Sequence, residues 1–78
     1  MMELWGSEVC KPCKYVLRLL EGTPLNFRYV DVGRIHFEGS IPRLVFDDGT
    51  QIIGVGPIHV FINEKLKELG LPPKRVLS

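Results

Sequence analysis

The chain has 78 residues, of which 45% are hydrophobic and 24% charged, and its formal net charge at pH 7 is +1. These values are typical of one small globular domain, here spanning residues 1–78, and exclude a disordered chain. Without a lysine-arginine run or ~18 consecutive apolar residues, the sequence predicts neither nucleic-acid binding nor a membrane span. The opening MMELWG lacks the apolar segment of a signal peptide, so we expect a cytoplasmic protein.

The chain is predicted to begin with a strand and a helix. The apolar-rich segment Met2–Trp5 stops at Gly6 and is typical of a short strand. A helix is predicted next, because four apolar residues recur at the spacing of one helical face: Cys13, Val16, Leu17 and Leu20. Pro12 suits the first turn, where a missing N–H costs nothing, and Gly22 ends the helix.

The middle of the chain predicts three more strands. Asn26–Val32 is rich in aromatic and β-branched residues, as strands are. Gly33–Ser40 contains two glycines and no sustained period, so we expect a loop or a single helical turn. Two apolar segments, Arg43–Phe46 and Thr50–Ile53, flank the turn sequence Asp-Asp-Gly and predict a hairpin.

The last third predicts a second helix. GVGP, at residues 54–57, is expected to break the chain after the hairpin. Five apolar residues then share one helical face: Ile58, Phe61, Ile62, Leu66 and Leu69. Gly70 suits the position after the end of this helix. Residues 71–78 contain two prolines and are expected to be a loosely ordered tail.

The predicted order is β-α-β, a loop, then β-β-α. Two strands joined through a helix should be parallel with a right-handed crossover, and the hairpin should add two antiparallel strands. Two helices covering a four-stranded mixed sheet would bury the apolar faces. The sequence therefore predicts a small α/β domain.

The only two cysteines stand three positions apart in GSEVCKPCKYVLRLLEG. Cys10 would lie at the helix N-terminus, where backbone N–H groups should stabilise its thiolate and lower its pKa. The positive charges of Lys11 and Lys14 add to this effect, and the negative charge of Glu8 opposes it. Cys13 falls on the apolar face and should be buried and less reactive. This asymmetry predicts that Cys10 attacks a substrate disulfide and that Cys13 resolves the mixed disulfide.

Two other interpretations of the cysteine pair remain open. A structural disulfide is disfavoured in a cytosolic protein, where thiols are kept reduced. A zinc site needs two further ligands, and the only histidines, His36 and His59, are separated in a way that fits no zinc-finger spacing. Each histidine is predicted to be an ordinary surface or loop residue.

The chain resembles a glutaredoxin, within the thioredoxin superfamily, in two segments: LWGSEVCKPCKYVLRLLE and SIPRLVFDDGTQIIGVGP. The resemblance extends from Glu3 to about Leu69. It implies a thioredoxin-like fold, with the middle helix shortened or absent, and dithiol–disulfide exchange. It also implies that Pro42 is the family's cis-proline, which leaves the backbone of Ile41 free to pair with a bound peptide or with glutathione.

Three departures from the family pattern concern glutathione recognition. Ser7 stands where glutaredoxins usually carry lysine, Gly33–Ser40 is too short for their middle helix, and Gly54–Ile58 lacks their usual acid. We therefore expect weak glutathione binding. The GVGP segment also resembles the Gly-x-x-Pro of glutaredoxin-like redoxins, which reduce ribonucleotide reductase and are recharged by thioredoxin reductase.

The sequence thus predicts a monomeric thiol–disulfide oxidoreductase that needs no bound cofactor. Its electron donor would be glutathione or a partner of the thioredoxin reductase type. Its partner would be a disulfide-containing protein, with ribonucleotide reductase as a candidate. The predicted catalytic residues are Cys10 and Cys13, and the predicted substrate-binding residues are Lys11, Pro12, Ile41, Pro42, Gly54, Val55 and Gly56.

Overall fold

A computed structural model describes residues 1–34 and 38–75 of the chain. It has four strands, two α-helices and one 3-10 turn. In chain order these are β1 (Met2–Gly6), α1 (Lys11–Glu21), β2 (Phe27–Asp31), the 3-10 turn (Val32–Arg34), β3 (Arg43–Val45), β4 (Gln51–Ile53) and α2 (Val55–Glu68). The protein is therefore a small α/β domain, as predicted. Neither helix is long and apolar enough to cross a membrane within the described ranges.

The four strands form one mixed sheet in the order β2-β1-β3-β4. β1 pairs parallel with β2, and β3 pairs antiparallel with both β1 and β4, so the predicted pairing is confirmed. These directions bring the ends of β1, β2 and β4 and the start of β3 to one edge of the sheet. We call this the loop edge; its four terminal residues are Gly6, Asp31, Arg43 and Ile53.

Both helices pack on the same face of the sheet. Side chains of β1 alternate, with Met2 and Leu4 buried and Glu3 and Trp5 half-buried on the opposite face. The buried cluster unites one face of the sheet with both helices and consists of Met2, Leu4, Val16, Leu19, Leu20, Leu44, Ile58, Ile62 and Leu66. On the other face the Trp5 indole N–H donates to a Glu3 carboxylate oxygen at 3.1 Å.

The predicted hairpin is confirmed, with each strand one residue shorter than expected. The Gly49 N–H donates to the Phe46 carbonyl at 2.9 Å, and the Phe46 N–H donates to the Thr50 carbonyl at 2.9 Å. Gly49 has φ +88°, a conformation that glycine adopts without steric cost. Local turn chemistry therefore sets the register of β3 and β4.

The expectation that GVGP breaks the chain is wrong, because α2 already begins at Val55. Gly54 is its N-cap, with φ +101°, and Pro57 lies in the first turn, where its missing N–H has no helical partner to lose. The predicted helical end is confirmed, since α2 ends at Glu68 and Gly70 follows with φ +75°.

The tail is more ordered than predicted as far as Lys74. The Lys74 N–H donates to the Asn63 side-chain oxygen at 2.8 Å, and the Lys74 carbonyl accepts from the Asn63 amide at 3.2 Å. His59 also bonds to that carbonyl at 2.7 Å, so this half-buried histidine is not an ordinary surface residue. Long-range side-chain contacts therefore replace the missing regular structure.

Parts of three predictions lie outside the described residues. They are residues 35–37 of the predicted loop, the surface role of His36 and residues 76–78 of the tail. Within the described part of Gly33–Ser40, the only regular structure is the end of the 3-10 turn.

Candidate functional site

Cys10 and Cys13 form a disulfide at the start of α1, with their Cα atoms 5.2 Å apart. The two cysteines differ in exposure. Cys13 is 1% exposed and faces the core, whereas Cys10 is only partly buried. The predicted asymmetry of burial is confirmed, and a reagent from solvent reaches Cys10 first.

Cys10 is the N-cap of α1. Its backbone is extended, with φ −97°, and its sulfur accepts a hydrogen bond from the Cys13 N–H at 3.2 Å. Its carbonyl accepts the first helical bond, from the Lys14 N–H at 3.2 Å. The Cys10 sulfur therefore lies at the positive end of the helix dipole, where negative charge is stabilised.

The turn formed by residues 7–10, which we call the cysteine turn, places the Cys10 sulfur at the start of α1. Ser7 directly follows β1 and is 7% exposed. Its carbonyl accepts from the Cys10 N–H at 3.1 Å, and its hydroxyl oxygen accepts from the Val9 N–H at 3.3 Å. Val9 itself is 91% exposed, which presents an apolar side chain to solvent beside the disulfide.

The Ile41–Pro42 peptide bond is cis, as predicted. Pro42 is buried and lies one residue before β3. The register pairs Trp5 with Arg43, so one further step brings Pro42 opposite Gly6, where the cysteine turn leaves β1. The Gly54 N–H donates to the Pro42 carbonyl at 2.9 Å, which ties the start of α2 to the same place.

The predicted substrate-binding residues therefore meet at the loop edge. Lys11 and Pro12 are exposed in the first turn of α1. The others lie at the start of β3 and at the start of α2: Ile41 and Pro42, then Gly54, Val55 and Gly56. These five residues lie on the β3–β4 side of the loop edge.

A pocket of about 210 Å³ opens on the other side of the cysteine turn, between the ends of β1 and β2. It is lined by Ser7, Glu8, Val9, Asp31 and Gly33. Sequence reasoning named Ser7 and Glu8 near the cysteine pair but predicted none of these five residues as substrate-binding. The Asp-x-Gly order at 31–33 was a usable signal, because an Asp side chain often bonds the N–H two residues later. The Asp31 carboxylate accepts from the Gly33 N–H at 2.9 Å.

Two carboxylates give this side of the site a negative field. Burial raises the pKa of Tyr29, and the nearby charges of Asp31 and Glu8 raise it further. Tyr29 also lies close beneath the disulfide: a Cβ built on Gly6 would lie 3.3 Å from both the Tyr29 ring and the Cys13 sulfur. The two sides of the cysteine turn therefore differ in charge, with Lys11 and Lys14 on α1 and the carboxylates toward β2.

The disulfide closes only a very short loop. In the chain-entropy account such a loop contributes ~2 kcal/mol, against ~4.7 kcal/mol for a loop of 100 residues. The pair is therefore a weak staple for a fold of this size.

As for metals, the described part of the chain contains no group of three or more His, Cys, Asp or Glu side chains placed to hold an ion. One of the two histidines, His59, is bonded to the tail instead.

Comparisons of the chain with protein-family models, with curated proteins and with solved structures found no match.

Proposed function

We propose that this protein is a glutaredoxin-like thiol–disulfide oxidoreductase with a thioredoxin-like fold. The observation that carries the proposal is the asymmetry of the cysteine pair at the start of α1. One sulfur caps the helix at a partly exposed position, and the other is 1% exposed in the core. A nucleophile must be reachable and favoured as a thiolate, whereas a resolving thiol needs only to reach its partner.

The reaction is a two-step exchange. The Cys10 thiolate attacks one sulfur of a substrate disulfide; a bond forms between these two sulfurs, and the other substrate sulfur leaves as a thiolate that takes a proton from water. Cys13 then loses its proton to solvent and attacks the Cys10 sulfur. This releases the second substrate thiol and leaves the Cys10–Cys13 disulfide. Two electrons pass from the dithiol to the substrate, and an external thiol donor restores them.

A disulfide-containing protein is the substrate class that the surroundings favour. Val9 is exposed beside the nucleophile, and the cis bond between Ile41 and Pro42 lies at the loop edge, one residue before β3. A peptide could bond to the backbone there as an added strand. Ribonucleotide reductase is a candidate partner on the resemblance alone, through the GVGP segment.

Glutathione should bind weakly if at all. Ser7 replaces a cation, and no acidic residue stands in the segment Gly54–Ile58 to meet the glutathione amino group. A charge-assisted hydrogen bond contributes ~1.5–3 kcal/mol, so the loss of one lowers affinity by about ten- to hundred-fold. Calorimetry with reduced glutathione tests this, and a micromolar Kd would contradict it.

The polarity of the pair is tested with two matched variants, Cys10→Ser and Cys13→Ser. Each variant is exposed to oxidised glutathione, and the adduct is measured by mass spectrometry of the intact chain. We expect the Cys13→Ser chain to accumulate a mixed disulfide and the Cys10→Ser chain to form little, because its remaining thiol is buried. Equal capture by the two variants would show that the assignment of Cys10 as the nucleophile and Cys13 as the resolving thiol is wrong. Capture by neither, with zinc copurifying with the unmodified chain, would replace the redox function by metal binding.

The electron donor is identified by a recycling assay on the unmodified chain. One arm supplies glutathione with glutathione reductase, and the other supplies thioredoxin reductase, both with NADPH. The weak glutathione site leads us to expect faster recycling in the second arm. Faster recycling by glutathione would show that the missing lysine and acid do not control donor choice.

A further inference from the structure

Gly33 lies so close to Ser7 that no side chain fits between them. A Cβ on Gly33 would lie 2.9 Å from the Ser7 hydroxyl oxygen and 3.1 Å from an Asp31 carboxylate oxygen. Real Cβ atoms essentially never show the first of these distances. The turn after β2 is therefore packed directly against the Ser7 side chain.

Hydrogen bonds continue from this contact to the nucleophile. Asp31 accepts from the Gly33 N–H at 2.9 Å and so holds Gly33 in place. Ser7 then accepts twice, from the Val9 N–H through its hydroxyl at 3.3 Å and from the Cys10 N–H through its carbonyl at 3.1 Å. The end of β2 is thus connected to Cys10 through one residue, Ser7.

We infer that Ser7 is a positioning residue. It packs against Gly33 and holds the turn so that the Cys10 sulfur accepts the hydrogen bond from the Cys13 N–H. The inference rests on the proposed function and adds a residue to it. Ser7 is 7% exposed, so it acts through the turn rather than by touching a substrate. In this role the serine uses its hydroxyl and its small size, and no charge is required.

Loss of the Ser7 hydroxyl should weaken the thiolate at Cys10. In Ser7→Ala the Val9 N–H loses its acceptor, the turn loosens, and the sulfur spends less time on the helix N-terminus. The charged groups around the turn are unchanged by this substitution: Glu8 on the turn, Lys11 and Lys14 on α1, and Asp31 with the neighbouring Tyr29 on β2. A change in thiol ionisation would therefore report geometry rather than charge.

The experiment measures alkylation of Cys10 by iodoacetamide against pH, in the Cys13→Ser chain so that one thiol remains. We expect Ser7→Ala to move the midpoint of the profile upward by about 0.5 pH unit, which lowers the thiolate fraction by about threefold at pH values well below the midpoint. Gly33→Ala should move it in the same direction, because the new Cβ displaces the Ser7 hydroxyl. This second variant tests the same contact from the opposite side.

Thr23→Ala is the matched control. The Thr23 hydroxyl likewise bonds the local backbone, donating to the Leu20 carbonyl at 2.7 Å and accepting from the Leu25 N–H at 3.2 Å, but at the far end of α1. Its loss should lower the thermal midpoint of unfolding without moving the alkylation midpoint. An equal alkylation shift in Thr23→Ala, or unshifted profiles in both Ser7→Ala and Gly33→Ala, would overturn the inference. Failure of the Cys13→Ser chain itself to form mixed disulfides would instead overturn the proposed function.

Discussion

The two helices begin at the same edge of the sheet, but their first turns are held in different ways. At α1 the N-cap is Cys10, whose sulfur accepts the Cys13 N–H. At α2 the N-cap is Gly54, which has no side chain to cap the helix and adopts φ +101°. Each first turn buries one side chain almost completely, Cys13 in α1 and Ile58 in α2.

The start of α2 thus contributes mainly to the stability of the fold, whereas the start of α1 holds the proposed reactive cysteine. The start of α2 is held by tertiary contacts, since Ile58 belongs to the core and the Gly54 N–H bonds the Pro42 carbonyl. The start of α1 is held mainly by local bonds in the turn before it, and its cap is itself the proposed nucleophile. The Cys13 N–H donates to the Cys10 sulfur that caps the helix, and the same N–H would therefore stabilise a thiolate at Cys10.

The largest expected effect is on the helix start that the core holds. Ile58→Ala should lower the free energy of unfolding by ~2–5 kcal/mol, because it leaves a cavity in a fully buried cluster. Cys13→Ala removes a single heavy atom and should cost less. Urea unfolding of both variants and the parent, all in reductant, measures the two losses. Equal losses would show that both helix starts depend on the core alike.

A second expectation concerns the backbone of Gly54. Gly54→Ala should cost ~1–3 kcal/mol, since φ +101° strains any residue with a Cβ. Gly56 is the control in the same turn, where a Cβ would meet nothing within 4 Å. Gly56→Ala should raise stability by ~0.5–1 kcal/mol, as alanine favours a helix. Equal losses at both glycines, measured by urea unfolding, would rule out the conformational explanation.

Close packing beneath α1 gives a smaller effect. A Cβ on Gly6 would come 3.0 Å from the Cys13 Cβ. Gly6→Ala should therefore cost about 1 kcal/mol through overpacking and should slow resolution by Cys13, seen as a longer-lived mixed disulfide. Gly22→Ala is the control, because its Cβ would come within 3 Å only of the flexible end of Lys74. An unchanged lifetime in Gly6→Ala would show that the contact does not affect the cysteines.

The smallest effect is alkaline and involves Tyr29. Burial, followed by the charges of Asp31 and Glu8, raises the pKa of Tyr29 above its usual 10.0. A raised pKa means that the folded state favours the neutral phenol, so this contribution to stability is complete below about pH 10 and is lost at higher pH. Stability should fall less in Tyr29→Phe than in the parent as the pH rises above about 10, measured by urea unfolding. The same fall in both chains would contradict this.

Much of the fold could be predicted because its signals are local. The hairpin was predicted from Asp-Asp-Gly between two apolar segments, and α1 from its apolar spacing. The start of α2 was predicted wrongly for an instructive reason. Glycine and proline usually interrupt helices, but in a first turn Pro57 loses no helical bond and Gly54 supplies a backbone angle that other residues avoid.

The site was predicted only where its residues are neighbours in the chain. The cysteine pair and its asymmetry follow from one helical turn, so the sequence by itself determined which sulfur is buried. The tertiary structure alone decided that Gly33 supports Ser7, that Pro42 bonds Gly54, and that the tail is tied to α2. The pairing of β1 with β2 brings Gly33 to Ser7, the pairing of β3 with β4 brings Gly54 to Pro42, and the tail returns to Asn63 on α2. Periodicity carries no information about such pairs, because it describes one segment at a time and not which segments meet.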